Sequence, residues 1–134
     1  MQRFTVQTAK REQMVEITDG VRKAVDESGV RDGIVFVYVP HTTAGVTINE
    51  NADPDVQTDM LAHLGKLVPR DAGFRHAEGN SDGHLKASLL GSTAWVPLSA
   101  GALALGRWQG IFFCEFDGPR QREVRVQVIA GGGT

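Results

Sequence analysis

The chain has 134 residues, 41% hydrophobic and 22% charged, with a formal net charge of −2 and a pI near 6.1. That length suits one domain around one core and is short for two. The acidic balance speaks against a basic nucleic-acid surface and a polybasic membrane contact; no apolar stretch nears the ~20 residues of a membrane helix.

Residues Met1 to Thr5 lack a signal-peptide core, and Cys114 stands alone, so no intrachain disulfide forms. Both point to a reducing, cytoplasmic setting, with Cys114 a small buried hydrophobe in an apolar run.

Phe4, Val6 and Thr8 alternate with Thr5 and Gln7, which predicts a first strand; Gln13 to Ile17 alternates too, with Met14 out of phase. Thr18 is placed to cap a helix to about Ser28, with Val21, Ala24 and Val25 on one face and Gly29 at its end. Gly33 to Val39 is nearly all apolar and β-branched, predicting a strand buried on both faces and stopped by Pro40. Val46 to Ile48 reads as the next strand.

Asp53 as N-cap and Pro54 at the first helical position open a second helix, with Val56, Met60, Leu64 and Leu67 at helical spacing and Pro69 beyond. His63, beside Leu64 at the edge of that face, reads as a partly buried structural histidine. Ala72 to Gly83 is polar and glycine-bearing, hence loop, and His84 to Leu90 a short helical turn. Gly101 to Gly106 reads as a turn and short strand. Ala94 to Leu98, Gly110 to Phe116 and Glu123 to Ile129 read as strands, the last with one wet and one dry face. The tail Gly131 to Thr134 is expected to fray. Many strands with two main helices, in no strict βαβ alternation, predict a single α+β domain over residues 1–134 with mostly antiparallel sheet.

Polar residues gather in three clusters. Pro40-His41-Thr42-Thr43-Ala44-Gly45, then Asn49-Glu50-Asn51, follows the most apolar strand, and strand-end loops are where function is placed. His41 is a candidate metal ligand or general base, and the Thr42 and Thr43 hydroxyls suit phosphate oxygens; the alternative is a plain turn with His41 bonded to backbone.

The second cluster is His76, Glu78, Asn80, Asp82, His84 and Lys86. It offers imidazole and oxygen ligands of the kind zinc, manganese or magnesium accept, without a strict zinc spacing, and Lys86 offers a point charge to a phosphate. The alternative is a solvated loop.

The third cluster is Trp108-Gln109 and Glu115 to Arg122. A carboxylate inside an apolar strand is costly unless paired or metal-bound, which singles out Glu115. Arg120 and Arg122 are placed to grip phosphate, the alternative being an Asp-Gly-Pro turn with surface arginines. Trp108 reads as core packing or the wall of a site. No phosphate-binding loop, dinucleotide fingerprint or nucleophile elbow occurs.

Five segments occur in order: His41-Thr42-Thr43-Ala44; Thr47 to Val56 (TINENADPDV); His84 to Gly91 (HLKASLLG); Leu105 to Gly110 (LGRWQG); and Glu115 to Arg120 (EFDGPR). Together they resemble the YjbQ family, the secondary thiamine-phosphate synthases, over almost the whole chain. The resemblance implies two packed, mostly antiparallel sheets with a sandwich-like core, a homotrimer, and a site near the subunit boundary. It implies a divalent metal (Zn, Mn, Ni or Mg) at His41, His84 and Glu115, with His41, Glu115 and Lys86 as catalytic residues. Thr42, Thr43, Asn49, Glu50, Gln109 and Arg120 would contact a small phosphorylated substrate. The segment Gly79 to Gly83 departs most from the family pattern, so Asp82 takes no role from it. His76 is assigned neither to the site nor to the loop.

The implied reaction joins a hydroxymethylpyrimidine pyrophosphate to a thiazole phosphate with metal assistance. Two alternatives use the same residues: metal-dependent hydrolysis of a phosphorylated metabolite, and a non-catalytic trimeric module binding an anion or metal. Neither nucleic acid nor membrane is expected as a partner.

Overall fold

The computed structural model describes residues 1–131. Along them run β1 (Gln2–Gln7), β2 (Gln13–Glu16), α1 (Thr18–Ser28), β3 (Gly33–Tyr38), β4 (Ala44–Glu50), α2 (Pro54–Leu67), α3 (Ser81–Leu90), β5 (Thr93–Ser99), β6 (Ala102–Leu103), β7 (Gln109–Glu115) and β8 (Gln121–Ala130). One sheet has the order β1-β8-β3-β5-β6 and the other β2-β7-β4, with every neighbouring pair antiparallel. This is the expected α+β class with two packed sheets. Among the described residues no helix is long and apolar enough to cross a membrane.

Strand alternation sorts residues between layers. Val35 and Val37 of β3, Val96 and Leu98 of β5, and Val124 and Val126 of β8 face Val46 of β4 and Ile111 and Phe113 of β7, with Val21, Ala24 and Val25 of α1 closing one side. On the other face of the small sheet, Phe112, Cys114 and Phe116 form a second apolar layer with Ala87, flanked by Met14, Leu61, Leu64 and Leu90. The small sheet is therefore the middle layer, and β7 is the strand buried on both faces from Gly110 through Glu115.

β3 departs from expectation here. Only Val35 and Val37 are fully buried, while Ile34 is exposed and Phe36 and Tyr38 half-buried on the outer face, where Phe36 packs on Trp95 at 4.5 Å between ring centroids. Among the described residues no helix or second sheet covers that face, so apolar composition did not imply two-sided burial.

Local chemistry explains the helix ends. Asp53 caps α2 by accepting from the Asp55 N–H at 2.9 Å, with Pro54 at the first position. Thr18 is not the cap of α1, which is Ile17. The Thr18 hydroxyl instead donates to the Glu16 carboxylate at 2.8 Å and accepts from the Ile111 N–H at 2.9 Å, tying the helix start to β7. α3 contains the expected helical turn from His84 to Leu90 but is a full third helix of 10 residues, starting at Ser81 inside the expected loop. Its polar first turn hides its start, because the inward face carries an Asp82–Lys86 ion pair beside Ala87. Of the glycine tail only Gly131 lies within the described residues; its N–H donates to the Asp32 carbonyl at 2.9 Å.

Candidate functional site

The chain leaves β3 at Tyr38, turns through His41 to Thr43, and enters β4 at Ala44, opposite Glu115 at the end of β7. α3 lies against this end of β4. The Val46 N–H donates to the Gly91 carbonyl at 3.0 Å, and a Cβ on Gly45 would come within 2.6 Å of the same oxygen. Between the turn and the helix lies a cavity of about 510 Å³, walled by His41, Thr42, His84, Ser88 and Ser92 over Ala44 and Ala87. Its size falls in the range of small-molecule sites.

His41 accepts the Glu123 N–H through Nε2 at 2.9 Å. An N–H aimed at Nε2 needs a lone pair there, so the ring proton belongs on Nδ1 and the neutral imidazole is a donor through that atom. Burial, reinforced by the positive charge of Arg122, holds the His41 pKa below its ordinary value.

Glu115 lies beneath and is fully buried. One carboxylate oxygen accepts from the Thr8 hydroxyl and Arg122 Nε, each at 2.8 Å; the other accepts from the Asp117 N–H at 3.0 Å and from Arg122 Nη2. Arg122 Nη2 also reaches the Thr43 hydroxyl at 2.9 Å. Burial alone would raise the Glu115 carboxyl, but the hydrogen bonds from Arg122, Thr8 and the Asp117 N–H outweigh it and hold the pKa below the usual carboxylate range. The costly carboxylate is thus paired inside the chain, and Arg122 is a buried partner rather than a surface grip. Arg120 stays half-exposed at the turn, donating to the Asp117 carbonyl at 2.8 Å and to its carboxylate at 3.1 Å.

Lys86 lies under α3, not in the cavity. It is 1% exposed, and its ammonium donates to Asp82 at 3.1 Å and Glu12 at 3.0 Å. Asp82 also takes two 3.2 Å bonds from Arg11, and these donors together overcome burial to keep its carboxyl below the ordinary range. Glu12 and Arg11 were not singled out in the sequence. Nothing local marks them, because their partners lie far along the chain. Ser88 carried a signal, standing four residues after His84 on one helix face.

The other expected contacts lie elsewhere. Asn49, Glu50 and Gln109 sit where Glu50 pairs with Gln109, at the opposite end of β4 and β7 from the Ala44–Glu115 pair. Six strand steps are roughly 20 Å. There the Asn49 side chain accepts from the Glu50 N–H at 2.7 Å, and Gln109 from the Gly106 N–H at 2.8 Å. Trp108 is 56% exposed beneath the Arg107 guanidinium, 4.9 Å from the ring centroid, and is no part of the core. His63 is exposed on the rim of an apolar groove with Met60, Leu64, Leu67 and Leu90, not partly buried. His76 reaches His84 edge to face, with 5.6 Å between ring centroids.

The metal set implied by the resemblance does not close within one chain. Both Glu115 oxygens are engaged by donors, and the His41 Nε2 lone pair is taken by the Glu123 N–H. Among the described residues no three His, Cys, Asp or Glu side chains already surround one point in ligand geometry.

Comparisons with known proteins agree in kind. The family model for UPF0047 proteins of the YjbQ-like kind matches residues 2–131. A UPF0047 protein of Methanocaldococcus jannaschii is 52% identical over 95% of this chain and 92% of its own length. The UPF0047 protein YugU of Bacillus subtilis is 46% identical over 92% of this chain and 95% of its own. A crystal structure of an uncharacterized YjbQ/UPF0047 protein from Clostridium acetobutylicum superposes with a TM-score of 0.95 at 53% identity, covering 96% of this chain and 100% of that one. The chain belongs to the UPF0047 family of YjbQ-like proteins, whose function is uncharacterised.

Proposed function

We propose that this chain is an enzyme acting on small phosphorylated molecules in the cavity between the His41 turn and α3, and that its reaction is of the thiamine-phosphate synthase type. The observation that carries the reading is the convergence of two imidazoles and three hydroxyls on one cavity of about 510 Å³, room for a single-ring substrate and its phosphate.

In that reaction the thiazole nitrogen lone pair forms a bond to the methylene carbon of the pyrimidine. The carbon–oxygen bond to pyrophosphate breaks, and its electron pair leaves on oxygen. The residues needed are donors aimed at that oxygen. His41 Nδ1–H and the Thr42 and Ser92 hydroxyls are such donors, the Ser88 hydroxyl being held by the His84 carbonyl at 2.9 Å; His84 is the group positioned to hand over a proton, and Arg120 reaches a phosphate only by leaving Asp117. Thr43 and Glu115 hold Arg122 behind the turn, and Lys86 holds α3, so these three position the wall rather than touch substrate.

A homotrimer belongs to the same reading. Asn49, Glu50 and Gln109 lie too far along the strands to meet the ligand of their own His41, and a neighbouring copy is what could bring them to it.

The test supplies both thiamine precursors, with and without divalent ions, and follows thiamine phosphate and pyrophosphate by mass spectrometry. Product should form, and His84→Ala should slow it about 100-fold or more. Precursors that bind without product would replace this reading with a binding module. Phosphate release from a metabolite panel, without coupling, would replace it with a hydrolase.

A further inference from the structure

The loop between α2 and α3 borders a second cavity of about 450 Å³, lined by Phe74, His76, Ser81, His84 and Leu85. His84 lines both this cavity and the larger one. We propose that the second cavity is a subsite for a flat, uncharged ring, so that the complete site takes a two-part ligand, with a phosphorylated head in the larger cavity and a ring on the loop side of His84. The head rests on the phosphate reading above; the ring subsite rests on its own lining.

Three observations carry it. The first is a contrast between the two linings. Around the larger cavity stand two imidazoles and the hydroxyl residues Thr42, Ser88 and Ser92. The second is walled by the carbon of Phe74 and Leu85, with the hydroxyl of Ser81 and two imidazoles beside them. Among the described residues no carboxylate, lysine or arginine lines it. A charged group placed there loses hydration without gaining a permanent counter-ion, whereas a ring gains by leaving water.

The second observation is ring geometry. The His76 and His84 planes stand at 87° with centroids 5.6 Å apart. A third ring laid on the face of one is therefore met edge-on by the other, and stacked and edge-to-face contacts are the two that aromatic pairs prefer. The third is exposed carbon on a fixed base. Leu85 is 46% exposed and Phe74 half-buried, while the helix that bears Leu85 and His84 is clamped beneath by Lys86 and Asp82. A ring covering both side chains removes apolar surface from water without moving α3. Recognition is thus divided between two elements, the His41 turn reading the head and the loop before α3 reading the ring, with His84 between them.

The test is an NMR titration of the full-length protein with methyl phosphate, 2-phenylethyl phosphate and 2-phenylethanol. The phenyl ester should bind roughly tenfold more tightly than the methyl ester, and should shift Phe74, Ser81 and Leu85 signals that the methyl ester leaves in place. Leu85→Ser and Phe74→Ala should each cut that advantage to about twofold, with methyl phosphate affinity unchanged. Leu85 is exposed, so its variant keeps the fold, and apo melting temperatures verify this for both. Equal affinity for the two esters, or an advantage that survives both substitutions, overturns the proposal. Methyl phosphate that leaves the His41 and Ser92 signals unmoved sinks the phosphate reading instead, and 2-phenylethanol then decides the subsite: shifts centred on Phe74 and Leu85 uphold it, and their absence overturns it.

Discussion

The residue that most defines this protein is Glu115, a carboxylate at the end of a strand buried on both faces. Its counter-ion is Arg122, seven positions on, across the turn into β8. Breaking such a buried pair leaves one uncompensated charge, whose cost is about 3–5 kcal/mol. Arg122→Met should therefore destabilise strongly in a denaturant titration, while the double variant Glu115→Leu with Arg122→Met should recover much of the loss. A single variant as stable as the wild type would mean the pair is solvated.

His41, Glu115 and Asp82 also set a direction for pH. The His41 pKa is lowered in the folded state, so as pH falls through the unfolded value near ~6.5 the unfolded chain takes up the proton first and stability drops. The two carboxylates are depressed as well. Their contribution is present above the unfolded carboxylate range near ~4 and is lost as pH falls through their folded values. Melting temperature should decline in two stages, from about pH 6.5 and again below about pH 4. His41→Gln should remove the first stage alone, and a wild-type profile flat from pH 7 to 5 would contradict the assignment.

Among the elements, α3 decides whether the cavity exists. It has no strong apolar face and is held by the Lys86–Asp82–Glu12–Arg11 ion network beneath it and by close backbone approach to β4. Gly45 permits that approach, and Gly83 permits the helix start to lie against Phe116 just beyond β7. A Cβ at Gly83 would meet the Phe116 carbonyl at 2.9 Å, closer than side chains sit. Gly45→Ala should cost about 1–3 kcal/mol and displace α3, so that cavity ligands weaken; unchanged binding would show that the helix tolerates the shift.

This is also where sequence reading fell short. Apolar periodicity finds helices that bury carbon, and it found α1 and α2. Of α3 it found the turn from His84 to Leu90 but not the start at Ser81, where the buried groups include Asp82 and, one turn on, Lys86, whose partners Arg11 and Glu12 belong to a distant loop. The Asp53–Pro54 start was legible because a cap is local chemistry; the role of Thr18 was not, because its partner on β7 is remote.

At the scale of the whole molecule, the strand pattern and the family motifs were enough to foresee two antiparallel sheets and the His41 turn beside His84. They were not enough to show that Asn49, Glu50 and Gln109 stand at the opposite end of the same strands, since motifs adjacent in a family pattern need not be adjacent in one subunit. The outer face of the large sheet leaves Ile34, Trp95 and Ile129 exposed, and isolated monomers seldom keep broad apolar faces open to water. Sedimentation equilibrium at micromolar concentration should give three times the chain mass, and a monomer across that range would remove the shared-site reading.

Cys114 gives the molecule a built-in reporter. It is the chain's single thiol, sealed between β7 and the helical layer, with its pKa pushed up to about 12 by burial. A thiol reagent can reach it only when α2 and α3 lift away, so the labelling rate of the native protein clocks the opening of that layer. Labelling should be complete within minutes in denaturant and take hours without it. A molecule that occupies the cavity under α3 should slow the clock further in proportion to its affinity, which turns one sulfur atom into a search tool for the natural ligand.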